Sequence, residues 1–253
     1  MSLAPYFADQ GLTLYLGDCR EIVPALGIVA DAIVTDPPYA STSLEWDRWP
    51  TGWVDVAASV TSSMWCFGSL RMFMERAADF SAWTCSQDIV WEKHNGSGFH
   101  ADRFRRVHES AAHFYRGAWG DTHHATVYVP GATAKTVRSK RRPTHAGSIE
   151  RTPYRSVDGG PKMATSVIRA HSMHGNALHP TEKPVVILRP LIDYACAEGG
   201  LVLDMFAGSG STLEAARLCG RRAIGIEANE QYAERAARRL SQRDLFAETV
   251  LPA

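Results

Sequence analysis

The 253-residue chain lacks the features that mark several classes of protein. No apolar run approaches the ~18 residues that a membrane-spanning helix needs. Residues 1–9 contain no basic region followed by an apolar stretch, so we expect no secretory signal peptide. No CxxC spacing occurs among the five cysteines, which are Cys19, Cys66, Cys85, Cys196 and Cys219. This scattering favours reduced, mostly buried thiols in a cytoplasmic protein over a disulfide framework.

The chain also lacks net charge, because 27 Lys and Arg residues balance 27 Asp and Glu residues. Taken alone, this balance argues against a nucleic-acid partner. The distribution reverses that impression, since residues 135–169 hold nine basic and two acidic residues, a charge of +7. The rest of the chain holds 18 basic and 25 acidic residues, a charge of −7. Such a basic island suits a protein that meets a polyanion with one face, and a solvated loop is the alternative.

Regular hydrophobic patterning is present on both sides of a less regular segment. Strands are predicted over 13–16, 31–35, 62–67, 88–91, 110–115, 201–205 and 223–227, and helices over 20–26, 54–59, 70–80, 184–196, 211–219 and 230–243. This alternation predicts an α/β fold with a doubly wound, mostly parallel sheet. Periodicity fades over 117–173, which predicts an inserted region between two halves of one domain, 1–116 and 174–253.

The first motif with chemical content is a glycine turn between a predicted strand and a predicted helix. It comprises Asp204, Met205, Phe206, Ala207, Gly208, Ser209, Gly210, Ser211 and Thr212. The glycines allow a tight turn and a close approach to a ligand, and the new helix offers free N–H groups to a polar or anionic group. Glu227 ends the next strand, where a carboxylate can accept hydrogen bonds from both hydroxyls of a ribose.

Two alternatives compete with a nucleoside site at this turn. A dinucleotide fingerprint has a third glycine, but that position is Leu213, so an adenosine with a small tail fits better than a pyrophosphate. The other alternative is a helix-capping turn that binds no ligand.

The second motif is Asp36-Pro37-Pro38-Tyr39, at the carboxyl end of a predicted buried strand. It combines a carboxylate, carbonyl groups fixed by two proline rings, and an aromatic face, a set that suits a planar aromatic amine. Hydrogen bonds from the amine to Asp36 and the Pro37 carbonyl would favour an attacking geometry at nitrogen, and Tyr39 would stack on the ring. A simple strand-ending turn is the alternative.

Asp36, with a reference pKa of ~3.9, is too weak a base to deprotonate a neutral aromatic amine. Proton loss would therefore follow or accompany transfer of a methyl group from a sulfonium, once the nitrogen has become cationic. The sulfonium leaves as a neutral thioether, so no metal is required. Zinc is also not expected, because His171-x-x-His174 has no further ligands at suitable spacing.

Together and in this order, the two motifs resemble the β group of DNA amino-methyltransferases, which modify adenine N6 or cytosine N4. Leu16-Gly17-Asp18-Cys19, Ile89–Lys93, Val107–Glu109 and His179-Pro180-Thr181-Glu182-Lys183-Pro184 resemble further family motifs. The resemblance implies a Rossmann-like methyltransferase fold and S-adenosylmethionine as cofactor. It also implies that Asp18 and Cys19 lie near the adenine of the cofactor, and that His179, Thr181 and Lys183 lie at its methionine carboxylate.

Two departures and several alternatives accompany this resemblance. Met205 replaces the proline that the family has in its cofactor turn. The cytosine enzymes tend to carry Ser before Pro-Pro-Tyr, so Asp36 favours adenine, with cytosine N4 as the alternative. Related Pro-Pro-Tyr corners also occur in RNA and protein methyltransferases. A DNA-binding protein without catalysis and a nicotinamide dehydrogenase are the remaining alternatives.

The implied partner is double-stranded DNA, from which the target base must be flipped out of the stack. We expect the inserted region 117–173 to recognise the target, with contacts from Lys135, Arg138, Lys140, Arg141, Arg142, Arg151 and Arg155. Trp46, Trp49 and Trp53 are predicted to close over the flipped base, or else to form a surface patch. Family habit suggests a homodimer, a cognate restriction nuclease as a second partner, and a bacterial or phage origin.

Overall fold

Nine strands of the described part of the chain form one mixed sheet. The computed structural model describes residues 3–39, 47–97, 102, 104–137, 154–171 and 182–242. The strands are β1 (Phe7–Asp9), β2 (Leu12–Leu16), β3 (Ala32–Thr35), β4 (Ser63–Gly68), β5 (Thr84–Ser97), β6 (Arg106–Tyr115), β7 (Tyr128–Val129), β8 (Lys135–Val137), β9 (Tyr154–Ser156), β10 (Lys162–Met163), β11 (Val167–Arg169), β12 (Leu201–Asp204) and β13 (Arg222–Glu227). The helices are α1 (Cys19–Leu26), α2 (Trp53–Val60), α3 (Leu70–Glu75), α4 (Val185–Ala195), α5 (Ser211–Leu218) and α6 (Glu230–Ser241).

The strand order of the large sheet is β1-β2-β13-β12-β3-β4-β6-β5-β11. The five strands from β2 to β4 run parallel, and β6 is antiparallel to both of its neighbours. From β3 the chain continues through α2 to β4, whereas from β12 it continues through α5 to β13 on the other side. The carboxyl ends of β3 and β12 therefore flank a topological switch point, where open α/β sheets bind their ligands.

Helices cover both faces of the sheet. Successive residues of a strand point to opposite faces, and in β3 Ala32 and Val34 join one core cluster while Ile33 joins the other. The first cluster packs against α4, α5 and α6, and the second packs against α1 and α2. This arrangement confirms the predicted doubly wound, mostly parallel α/β fold.

The predicted helix over 70–80 is too long, because α3 ends at Glu75 and turns follow to residue 82. Tertiary contacts explain the early end. Asp79 accepts a hydrogen bond from Trp49 Nε1 at 2.7 Å, and the Phe80 ring stacks on Phe114 with a centroid distance of 4.7 Å. A helix that continued to residue 80 would place Asp79 and Phe80 away from these partners. Packing therefore overrides helix propensity here.

The prediction that tryptophans close over a base is wrong for Trp53. Its side chain is fully buried at the start of α2, where it contacts Phe80 and Phe206 edge-on. Trp49 is half-buried against Trp53 and is held by Asp79. Trp46 lies outside the described residues.

The chain divides into two compact units, and residues 126–165 form the smaller one. Its described residues form two antiparallel two-stranded ribbons, β7 with β10 and β8 with β9. It lies inside the predicted insertion 117–173, and β11 beyond it pairs with β5 in the large sheet. These strands of two or three residues are too short to produce a periodic pattern in the sequence.

All five cysteines are free thiols, and Cys19, Cys66 and Cys196 are buried. Within the described ranges, none of the helices has the length and apolar character that crossing a bilayer requires.

Candidate functional site

The two predicted motifs leave the sheet side by side. Strands β3 and β12 are neighbours, with Ala32 opposite Val202 and Ile33 opposite Leu203. At their ends, the Thr35 hydroxyl donates a hydrogen bond of 2.8 Å to Asp204 Oδ1. The proline turn at 36–39 and the glycine turn at 204–212 therefore start from adjacent points.

Both turns line one cavity of about 430 Å³, a volume typical of small-molecule sites. Every described residue that was predicted to bind the cofactor or to act in catalysis lines this cavity, except Gly210. The lining includes Asp18, Cys19, Asp36, Pro37, Pro38, Tyr39, Lys183, Asp204, Phe206, Ala207, Gly208, Ser209, Ser211, Thr212 and Glu227. His179 and Thr181 lie outside the described residues.

The glycine turn has the backbone that its sequence predicts. Gly208 and Gly210 have φ angles of 51° and 78°, values that other residues adopt only with strain. Gly210 caps α5 without a side chain, so the first backbone amides of that helix have no capping hydroxyl or carboxylate. These amides and the positive end of the helix dipole favour a polar or anionic ligand.

Leu213 has a packing role at the position of the missing third glycine. Its side chain is fully buried, and a Cβ added to Gly225 would lie 2.7 Å from Leu213 Cδ1. In a dinucleotide fingerprint the third glycine brings helix and strand close together. Here Gly225 on β13 provides that space instead, and the helix keeps a large apolar residue.

Glu227 ties the end of β13 to the glycine turn. Its Oε2 accepts the Gly208 N–H at 2.8 Å, and its Oε1 accepts the Asn229 N–H at 2.8 Å. Burial raises the pKa of Glu227, and these backbone hydrogen bonds oppose the rise. Each carboxylate oxygen keeps a second lone pair for a further donor, so the carboxylate is oriented for a ligand with two hydroxyls.

Asp18 caps α1 just after β2, the strand that pairs with β13. Its Oδ1 accepts the Arg20 N–H at 2.8 Å, and the Arg20 guanidinium forms an ion pair with the carboxylate. Hydrogen bonding from Arg20 lowers the pKa of Asp18. Cys19 beside it is buried, and burial raises the pKa of this thiol to about 12, which makes it an unreactive part of the wall.

Asp36 is held from both sides. The Tyr39 hydroxyl donates a hydrogen bond to Asp36 Oδ1, and the Lys183 ammonium contacts Oδ2. Lys183 was predicted to face the methionine carboxylate of a cofactor. It lines the cavity, and its ammonium binds the carboxylates of Asp36 and Glu109, at 3.3 Å from Glu109 Oε2, and lies over the Phe67 ring.

The charges around Asp36 oppose one another. Burial raises the pKa of Asp36, repulsion from Glu109 adds to the rise, and Lys183 and Tyr39 oppose it. Burial lowers the pKa of Lys183, but the two carboxylates outweigh burial, so the net pKa is raised and the ammonium is retained. Burial raises the pKa of Glu109, but Lys183 and Lys93 bring it down to about 2.

Sequence reasoning missed two groups of charged residues at the site. Glu109 and Lys93 lie in segments that resemble family motifs but were assigned no function. They come near Asp36 only because their strands pair in the sheet. Arg239 of α6 lies behind the glycine turn, where it binds Glu182 Oε1 at 2.6 Å and contacts the hydroxyls of Ser209 and Ser211 at 3.4 and 3.3 Å. No local pattern indicates such contacts.

The buried carboxyl of Asp204 should make the stability of the protein depend on pH. It is buried, and burial raises its pKa to about 6, although hydrogen bonds from Thr212, Thr35 and the Phe206 N–H oppose the rise. Because the folded state holds this proton more tightly than an unfolded Asp at ~3.9, stability falls as the pH rises from ~4 through ~6.

We expect Asp204→Asn to raise the free energy of unfolding at pH 7.5 by about 1–3 kcal/mol, because the neutral amide keeps an oxygen acceptor and avoids a buried charge. Near pH 4 the two proteins should be equally stable. Urea unfolding at both pH values measures the difference. Glu234→Gln removes an exposed carboxylate of α6 and should change stability by less than about 0.5 kcal/mol. Equal stability of Asp204→Asn and the parent protein at pH 7.5 would contradict the assignment.

The cavity fits an adenosine that carries a short charged tail. The carboxylate of Glu227 suits ribose hydroxyls, and Gly208 brings backbone without a side chain to the cavity wall. The donors and acceptors present therefore match a nucleoside cofactor.

Comparison with known proteins assigns the chain to a class. A sequence model of the DNA methylase family (N6_N4_Mtase) matches residues 30–238. The chain therefore belongs to this family of DNA methylases, whose members use S-adenosylmethionine. The putative methylase YubD of Escherichia coli (strain K12) is 55% identical over 67 residues. That match spans 26% of this chain and only 30% of the length of YubD.

Solved structures of methyltransferases share the fold. The complex of M1.HpyAVI with SAM has a TM-score of 0.60 and 22% identity, and the similarity covers 90% of this chain and 99% of that one. The cytosine-N4-specific PvuII DNA methyltransferase has a TM-score of 0.62 and 16% identity, over 96% and 91% of the two chains. TTHA0409 of Thermus thermophilus, a putative DNA modification methylase complexed with S-adenosyl-L-methionine, has a TM-score of 0.51 and 17% identity over 90% and 94%.

Proposed function

We propose that this chain transfers a methyl group from S-adenosylmethionine to the exocyclic amino nitrogen of a base flipped out of DNA, and that the base is adenine. One observation carries the proposal: the Asp36 turn and the glycine turn line a single cavity at the switch point of the sheet. The cofactor supplies an electrophilic methyl group when bound. Binding, orientation and proton acceptance are the work of this chain.

Each turn has a separate task in the proposed reaction. Glu227 holds the ribose hydroxyls, and the turn at Gly208 lets the ligand approach the backbone. Asp36 and the Pro37 carbonyl accept the two N–H groups of the base, which turns the nitrogen lone pair toward the methyl group. Because no anion departs, orientation and preorganised charge supply most of the catalysis.

The proton of the methylated nitrogen passes to Asp36. A cationic amino nitrogen is acidic, so a carboxylate is a sufficient base once the new bond forms. Asp36 is partly buried between Tyr39 and Lys183, and its raised pKa makes it a better proton acceptor than a carboxylate in water. Tyr39, whose hydroxyl bonds to Asp36, leaves its ring to contact the flipped base.

The carboxylate at position 36 supports adenine N6 as the target, and cytosine N4 is the alternative. Incubation with tritiated S-adenosylmethionine and duplex DNA, RNA or protein tests the substrate class. Mass analysis of the nucleosides from the labelled DNA then identifies the base. We expect label in duplex DNA and N6-methyladenine among the nucleosides. Label in RNA or protein alone would refute the proposal, and N4-methylcytosine would refute its adenine part.

DNA contacts are proposed for the smaller unit, 126–165. Lys135 and Arg155 are exposed on the β8–β9 ribbon. The pairing register places Lys135 opposite Ser156 and Arg155 opposite Thr136, so the basic side chains lie on opposite faces. A two-stranded ribbon fits the major groove of DNA. Arg138, Lys140, Arg141, Arg142 and Arg151, which lie outside the described residues, belong to the same proposal, and a homodimer and a cognate nuclease also stay proposals.

Replacing both Lys135 and Arg155 by Ala should lower the salt dependence of DNA binding. Each lost phosphate contact reduces the slope of log K against log salt by about 0.9, so we expect a reduction of about 2. Fluorescence anisotropy with a labelled duplex between 50 and 200 mM salt, a range in which such slopes are steep, measures it. Arg71→Ala, which removes an exposed cation of α3, is the matched control. An unchanged slope in the double variant would exclude these two residues from the DNA interface.

A further inference from the structure

Four residues of alternating charge cross the sheet beside the cavity. The Lys183 ammonium contacts Asp36 and Glu109, and the Lys93 ammonium contacts the other oxygen of Glu109. Lys93 also lies over the Trp91 ring at 4.6 Å. The series runs from the end of β3 past β4 to β6 and β5, which are consecutive strands of the sheet. Only Asp36 and Lys183 of the four line the cavity.

This series is largely removed from water. The exposed fraction of the side chain is 7% for Lys183 and 22–23% for Lys93 and Glu109. Burying ion pairs costs desolvation free energy that their mutual attraction often fails to repay, and apolar substitutes are frequently as stable. Charged groups with strongly shifted pKa values cluster at functional sites, and this network adjoins the carboxylate of Asp36.

A proton wire through this series is excluded by the size of the pKa difference. The pKa of Glu109 is about 2, whereas that of Lys183 lies above its usual 10.5. Moving the proton from Lys183 to Glu109 is therefore strongly unfavourable. The series therefore acts through fixed charge and position.

We propose that Glu109 is a positioning residue, which, with Lys93 behind it, fixes the Lys183 ammonium against Asp36 and keeps a second negative charge near Asp36. The positive charge of Lys183 alone would lower the pKa of Asp36 and weaken it as a proton acceptor. The charge of Glu109 offsets part of that effect, so Asp36 stays oriented and basic. This inference rests on the proposed methyl transfer, because it assigns Asp36 the task of accepting the amine proton.

Two substitutions near Asp36 should shift its pKa in opposite directions. The groups whose charge or hydrogen bonds couple to it are Tyr39, Cys66, Glu109, Lys183 and Asp204. Glu109→Gln removes a repelling anion, so the pKa of Asp36 should fall. Lys183→Met removes the attracting cation, so the pKa of Asp36 should rise.

The experiment compares pH profiles of methyl transfer under single-turnover conditions. Because Asp36 must be ionised, the rate is lost as the pH falls through its pKa. We expect Glu109→Gln to lower the plateau rate by about 10- to 100-fold and to move this acid limb down by about one unit. Lys183→Met should move the limb up by at least about one unit. Glu92→Gln breaks an exposed ion pair of β5 with Arg169 and should leave the limb unmoved.

A second readout does not depend on activity. The carboxyl ¹³C resonance of Asp36, assigned with the Asp36→Asn variant, should titrate at a lower pH in Glu109→Gln and at a higher pH in Lys183→Met. If Glu109→Gln fails to fold by circular dichroism, Lys93→Met takes its place. Loss of that cation leaves Glu109 less compensated, so the Asp36 titration should move up.

The outcomes separate the two proposals. The protein could methylate no DNA while the Asp36 titration still moves down in Glu109→Gln and up in Lys183→Met. That result refutes the proposed function and supports the coupling of Glu109 to Asp36. Reduced rates with an unmoved acid limb and unmoved titrations mean that Glu109 only supports packing, and that result overturns the inference.

Discussion

Asp36→Ala is expected to lower the rate of methyl transfer by about 10³-fold or more at saturating cofactor. The substitution removes the acceptor that orients the amino nitrogen and the base that takes its proton. Glu227 and the glycine turn remain, so the dissociation constant for S-adenosylmethionine should change by less than about tenfold, or about 1.4 kcal/mol. Single-turnover label transfer measures the rate, and calorimetry measures cofactor binding.

Two further variants secure the interpretation of Asp36→Ala. Asp36→Asn keeps the size of the side chain and one oxygen acceptor but loses the base, so its rate should lie between those of the parent and of Asp36→Ala. Asp55→Ala removes an exposed carboxylate of α2 and should leave the rate unchanged. Turnover by Asp36→Ala within about tenfold of the parent would deny Asp36 its role in orienting the amine.

Glu227→Ala is expected to weaken S-adenosylmethionine binding by about 10²-fold or more. Two hydrogen bonds to a charged acceptor contribute about 1.5–3 kcal/mol each, and the substitution also frees the Gly208 and Asn229 N–H groups that order the turn. At saturating cofactor the transfer rate should recover to within about tenfold of the parent, because Asp36 is untouched. Calorimetry with the cofactor, and rates at rising cofactor concentration, measure both quantities.

Glu230→Ala is the matched control for Glu227→Ala, because it removes an exposed carboxylate three residues further on, in the first turn of α6. It should bind cofactor as the parent does. Unaltered affinity in Glu227→Ala would place the ribose elsewhere. Asp36→Ala and Glu227→Ala should therefore have separate effects: the first lowers the transfer rate, and the second lowers the affinity for the cofactor.

The elements that carry the site were predictable from sequence because their signals are local. A buried strand that meets Asp36-Pro37-Pro38 must end there, and a strand followed by Gly208 and Gly210 must turn before a helix begins. The switch point then follows from the alternation of strands and helices. These features depend on the chain within about ten residues of each motif.

The features that were missed depend on residues far apart in the chain. Glu109 and Lys183 meet only because β6 pairs with β4. Arg239 supports the glycine turn from the last described helix, and nothing near it in sequence predicts that partner. Strand β5 extends beyond the predicted 88–91 into a polar sequence without alternation, where pairing with β6 rather than propensity forms the strand.

The decisive measurement is a crystal structure of the protein with S-adenosylhomocysteine and a DNA duplex that contains the target base. We expect the ribose of the ligand on Glu227, its sulfur directed at the 36–39 turn, and an everted base whose amino group contacts Asp36. A nucleoside bound away from the glycine turn, or an everted base held far from Asp36, would contradict the proposed function.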